Sequence, residues 1–195
     1  MPHAAAIPAR RTTRRVRAAV LVAVGLLGGL CAQPALAAPD ESAVQAAFVL
    51  NFAKFTDWPA AGLPQRQGAL QLCQFGERET LALAFRSLEG RPLQGVPVQW
   101  RRVGRAEEVR GCHVLFVAEP GLLLAGLGGL PVLTVSDLPG FAPQGGVIGL
   151  VRQSGRLRFE VNRSAAQAAG LRLSADLLSL AMQVLDGPLR RESAP

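Results

Sequence analysis

Seven consecutive residues, Cys112-His113-Val114-Leu115-Phe116-Val117-Ala118, carry almost no polarity and show no alternation. A short, nearly continuous apolar run is the mark of a strand buried on both faces, and such strands belong to parallel sheets covered by helices. The neighbouring segments agree. Ala69 to Phe75 alternates and predicts a strand, and Glu77 to Leu88 puts Leu81, Ala84, Phe85 and Leu88 on one helical face before Gly90. Val96 to Trp100 predicts a second strand, with Pro97 marking an edge or a strand start. Arg105 to Arg110 fits one helical turn, Glu119 to Leu127 a short helix, and Pro131 to Ser136 another strand. Strand–helix–strand, repeated across a turn, argues for parallel pairing. If the first and third of these strands are neighbours, Cys73 and Cys112 come within bridging distance.

Ahead of this core, Ala46 to Pro59 predicts a helix. Phe48, Phe52 and Phe55 fall at i, i+4 and i+7, and Val44 and Ala47 extend the same stripe. Trp58-Pro59 ends it, because a residue before proline is pushed out of the α region. Ala60 to Gly68 reads as a loop, as does Pro139 to Gly146. Val147 to Arg152 and Gly155 to Asn162, split by Gln153-Ser154, form a hairpin signal. In its second arm Leu157, Phe159 and Val161 alternate with Arg156, Arg158, Glu160 and Asn162, so one face turns inward and the other meets solvent or a partner. Asn162 or Ser164 can cap a short helix to Ala169. Ser174 caps a final helix, predicted to carry Leu177, Leu178, Leu180, Ala181, Val184 and Leu185 and to stop at Gly187-Pro188. The fold class is α/β: one domain, a mixed and mostly parallel sheet with a C-terminal hairpin, and helices packed around it.

Residues 1–37 have the layout of a secretory signal peptide: five arginines from Arg10 to Arg17, a short apolar stretch from Ala18 to Leu30, and Ala35-Leu36-Ala37 before the cut. The α/β domain is then expected over residues 38–195. The chain carries a formal charge of +7, but without those five arginines 16 basic residues face 14 acidic ones. That balance leaves no electrostatic footprint for nucleic acid. Cys73 and Cys112 are an even pair in an oxidising compartment, which favours a bridge. Two buried thiols, or a redox or metal pair, are the alternatives. A bridge would close a loop of about 40 residues, worth roughly 4 kcal/mol by chain entropy.

Chemistry is sparse. There is no Walker-type phosphate loop and no nucleophile elbow. His113 sits among apolar neighbours and reads as a structural histidine; no metal or cofactor is expected. Glu77, Glu119 and Asp137 each follow an inferred parallel strand at its carboxyl end, the edge where open α/β sheets bind ligands. Three carboxylates there could hold a cation or an amine; equally, Glu77 and Glu119 open helices and Asp137 sits in a turn. Arg152, Arg156 and Arg158 make a small basic face. The final helix is apolar on too many sides for one buried stripe, so Leu177, Leu180, Met182 and Val184 are candidates for a partner surface, with Arg158 and Glu160 beside them.

Four stretches together resemble a known family: Ala46 to Phe55 with Trp58-Pro59; Gly111 to Val117; Leu133-Thr134-Val135-Ser136-Asp137; and Gly146-Val147-Ile148 through Arg158 to Asn162, then Ala168 to Ser174 with Leu177-Leu178. They are similar to the YfiR-like family of exported bacterial proteins, over about Ser42 to Leu185. The resemblance implies a periplasmic regulator, often dimeric, that binds and restrains an inner-membrane diguanylate cyclase in a system that includes an outer-membrane lipoprotein. Its output is cyclic di-GMP and biofilm behaviour. The Cys73–Cys112 pair sits where that family places a disulfide; the second pair found near the hairpin in some relatives is missing here. The alternatives are a periplasmic small-ligand binding module and an accessory to another membrane sensor kinase. An enzyme is disfavoured.

Overall fold

The computed structural model describes residues 40–186. The expected signal peptide, residues 1–37, lies outside them. The chain divides into Met1–Ala38 and Pro39–Pro195, and all described residues belong to the second unit.

Helix α1 (Glu41–Lys54) starts at Asp40, whose side chain accepts from the Ser42 N–H, with Glu41 adding negative charge to the first turn. It stops at Lys54 rather than at Trp58. The next two residues, β1 (Thr56–Asp57), leave the helix to pair with a distant strand, and the buried Thr56 hydroxyl donates to the Phe52 carbonyl. The buried face is Ala46, Val49, Phe52 and Ala53. Of the three phenylalanines only Phe52 is fully buried; Phe48 and Phe55 are half-buried and Ala47 is exposed. The stripe is therefore rotated from the predicted one. The expected loop after it is partly helical: a 3-10 turn (Ala60–Gly62) and α2 (Pro64–Gln67), with Pro64 pre-set for the first helical position.

The central strands follow the predicted order, with one helix fewer than expected. The elements are β2 (Leu70–Phe75), α3 (Glu79–Arg86), β3 (Pro92–Leu93), β4 (Val96–Val103), β5 (Val114–Val117) and β6 (Leu133–Ser136). A short turn at Ala106–Val109 precedes β5. The helix expected over Glu119–Leu127 is absent. Pro120 and the left-handed Gly121 (φ +117°) leave only a 3-10 turn, Leu124–Leu127. The hairpin is β7 (Ile148–Gln153) and β8 (Arg156–Asn162); its turn falls on Ser154-Gly155, both with positive φ, as a two-residue type I′ connection demands. Asn162 caps α4 (Arg163–Ala168) through the Ala165 N–H, and β9 (Arg172–Leu173) pairs with β1.

The largest departure is at the end. Ser174 caps α5 (Ala175–Leu180) as expected, but the helix stops there. Ala181 is extended, Met182 donates its N–H to the Phe159 carbonyl, and β10 (Gln183–Leu185) runs parallel to β8. A segment apolar on all sides suits a strand as well as a helix, and here the free edge of β8 wins.

The main sheet has the order β10-β8-β7-β6-β5-β2-β4-β3. From β4 to β7 all pairs are parallel; β7–β8 and β3–β4 are antiparallel. One face packs under α1 and α3, where Phe85 meets Phe116 edge-on and Phe52 meets Phe159. The other face holds Cys73, Val103, Val109, Leu115, Val117 and Phe141. The apolar run Cys112 to Ala118 contains β5, fully buried in the middle of the sheet.

Candidate functional site

Strand order places a topological switch between β2 and β5: β2 leads to β4 on one side, and β5, β6 and β7 follow on the other. Ligands of such sheets bind at the carboxyl ends there. Glu77, Glu119 and Asp137 do all lie on that edge, after β2, β5 and β6. They do not converge. The Glu119 carboxylate folds over Gly76 and accepts from the Glu77 N–H at 2.9 Å. Gly76 has φ +97°, and a Cβ there would meet the Glu119 side chain at 2.9 Å, so this approach requires glycine. Asp137 is occupied elsewhere. Its carboxylate takes Arg78 in a two-point contact (2.6 and 3.0 Å) and Gln45 Nε2 at 2.9 Å. Arg78 also donates to the Ala118 carbonyl at 2.8 Å, so it ties the ends of β2, β5 and β6 together. Among the described residues no group of three or more His, Cys, Asp or Glu side chains is placed to hold a metal ion. What remains at the switch point is an open crevice of about 500 Å³ lined by Glu77, Arg102, Gly104 and Glu119. Arg102 is engaged by Glu79 at 2.7 Å, and that hydrogen bond holds the Glu79 carboxyl below its usual range.

His113 lies at the opposite edge. It is buried, its Nδ1 accepts from the Gln71 N–H at 2.9 Å, and Trp58 packs edge-on against the ring. An accepting Nδ1 fixes the neutral tautomer with its proton on Nε2, which has no partner. Burial lowers the imidazole pKa to about 4. A ring that is neutral and sealed from solvent serves structure.

Cys73 on β2 and Cys112 ahead of β5 are joined, with Cα atoms 5.9 Å apart across neighbouring strands. Arg101 lies over the bridge. Its guanidinium is 3.2 Å from the Cys112 sulfur and donates to the carbonyls of Glu108 and Arg110. Nothing in the sequence spacing singled Arg101 out.

The candidate partner residues separate by burial. Leu177 is only 3% exposed and faces the core, so it is not available at the surface. Leu180 (67%), Met182 (40%) and Val184 (38%) are exposed, not along one helix but along the end of α5 and β10. Arg158 is exposed and Glu160 half-buried on β8, with Glu160 in register with Gln183. Arg152 is paired with Glu41 and so belongs to the anchoring of α1 rather than to a free basic face. No helix among the described residues is long and apolar enough to cross a membrane.

No curated protein matches this chain. Among solved structures, it is similar to the ABC domain in complex with L-Trp from Streptococcus pneumonia, at 10% identity and a TM-score of 0.47, covering 72% of this chain and 60% of that one. It is also similar to a conserved domain protein from Vibrio cholerae, at 10% identity and a TM-score of 0.38, covering 58% and 54%. This chain thus spans about 60% of the length of the first of these structures. Neither TM-score reaches 0.5, so these likenesses say nothing about ligand or role. The model of the DUF4154, YfiR/HmsC-like family matches residues 42–182, from the second residue of α1 to the residue before β10, and the chain belongs to that YfiR/HmsC-like family.

Proposed function

We propose that this chain is a periplasmic, non-catalytic regulator that binds and restrains an inner-membrane diguanylate cyclase, and so holds down cyclic di-GMP and biofilm formation. Family membership supports the class of function. The observation that carries the mode of action is the exposed apolar margin of Leu180, Met182 and Val184. A regulator without catalysis acts by binding one state of its partner better than another. In this reading residues 1–37 direct export, the protein works as a homodimer, and an outer-membrane lipoprotein belongs to the same system. The test is cyclic di-GMP in the source bacterium with and without the gene. A rise on deletion, reversed by complementation, is expected; an unchanged level would move the partner to another membrane sensor, such as a kinase.

A second reading, a small-ligand module, is favoured by the crevice at the switch point. A thermal-shift screen decides it, since a ligand that binds only the native state raises the melting temperature.

A further inference from the structure

The two ends of the main sheet are built differently. At one end β3 is two residues long, begins with Pro92 and is a poor template for another strand. At the other end β10 is also short, three residues, but has neither a proline nor a charge to blunt it. From Leu180 to Leu185 there is no charge, no proline and no glycine. Five large apolar side chains are well exposed among the described residues, Leu83, Leu123, Leu180, Met182 and Val184, and three of them crowd into this one margin. The Met182 N–H turns inward to the Phe159 carbonyl at 2.8 Å. Alternation along an extended strand therefore sends the N–H and C=O of Gln183 outward. Among the described residues no strand lies beyond β10.

We propose that this edge is a docking site for an extended segment of a partner protein, which adds to the sheet alongside β10 and lays apolar side chains at alternate positions against Leu180, Met182 and Val184. The backbone edge supplies affinity and the apolar margin supplies selectivity. The chain's own tail suits the place poorly. Residues 187–195 open with Gly187-Pro188, and after any turn they offer Arg190-Arg191-Glu192, with no apolar alternation to match. A second copy would bring only another three-residue strand. The proposal rests on the regulatory reading above, whose partner it describes.

The experiment complements a deletion strain with wild-type protein, Gln183→Pro, Gln183→Ala and Val184→Lys, each checked for folding by thermal melt, and reads cyclic di-GMP. Gln183→Pro removes one outward N–H and leaves the β8 ladder intact; Gln183→Ala keeps that N–H. The expected result is that wild type and Gln183→Ala restore the low level, while folded Gln183→Pro and Val184→Lys leave it as high as in the deletion. Folded Gln183→Pro that restrains like wild type overturns strand addition, even if Val184→Lys fails. Should Gln183→Pro not accumulate folded, Val184→Lys decides alone, and full restraint by it overturns the proposal. Wild type that leaves cyclic di-GMP unchanged defeats the regulatory reading itself, and this one with it. A dimer in sedimentation that Gln183→Pro dissociates puts a second copy on the edge. A truncation after Asp186 that by itself abolishes restraint puts the tail there. Either outcome overturns the partner-strand assignment.

Discussion

Gln94 sits in left-handed backbone (φ +49°) beside Gly95 (φ +84°), in the turn between β3 and β4. That position favours glycine or asparagine, and a longer side chain there costs roughly 1 kcal/mol. Its amide is the compensation. Nε2 reaches the carbonyls of Lys54 (3.1 Å), Thr56 (3.3 Å) and Ala53 (3.4 Å), where the chain leaves α1 for β1. Gln94→Asn tolerates the turn but is one methylene too short to reach them. It is expected to lower stability by about 1 kcal/mol in a urea melt; a gain would mean that turn strain outweighs capping. His113 makes a pH prediction. Its native pKa, lowered by burial to about 4, lies below the value near 6.5 of an exposed imidazole. The unfolded chain therefore binds the extra proton first. The stability tied to this group is whole above pH 6.5 and drains as the pH falls toward 4, by a total on the order of 3 kcal/mol. His113→Gln, which cannot protonate, should flatten that part of the stability–pH curve. An equally steep decline in the variant would locate the acid sensitivity elsewhere.

At the scale of elements, the Cys73–Cys112 bridge fastens β2 to the segment entering β5 and is shielded from solvent on both sulfurs. Removing it with a double serine variant is expected to cost about 3–4 kcal/mol. Its burial makes it slow to reduce in the folded protein, so thiol reagents should cleave it only once denaturant opens the domain. Rapid cleavage under native conditions would contradict this. In α1, Phe52→Ala should cost about 3–5 kcal/mol, because Phe52 is enclosed. Half-buried Phe55 should cost clearly less on the same change. Equal losses would restore the predicted three-phenylalanine stripe. These elements also show how far the sequence could be read. The apolar run at Val114–Val117, the alternation at Leu70–Phe75 and the break at Gln153-Ser154 each carry a local signal, and all three lead to the observed strands, with the hairpin turn one residue later, on Ser154-Gly155. The end of α1 and the fate of Met182–Leu185 are decided by partners over 20 residues or more away, β9 for the first and β8 for the second, and no local pattern records that.

At the scale of the molecule, the two candidate places on the sheet are the switch-point crevice and the β10 margin. The first was legible from the order of strands and acids: Glu77, Glu119 and Asp137 reach one edge. What could not be read was Arg78, which draws Asp137 away, or Gly76, which lets Glu119 close on the Glu77 N–H. The second is legible as excess apolarity, but the pattern suits one helix and so groups Leu177 with Leu180, Met182 and Val184, whereas only the last three reach the surface. The account stands on that margin acting on a partner. The measurement that tests it most directly is cyclic di-GMP in a deletion strain carrying a Val184→Glu protein of wild-type melting temperature and abundance. The account predicts that wild type restores the low level and Val184→Glu leaves it high. Full restoration by Val184→Glu would contradict it.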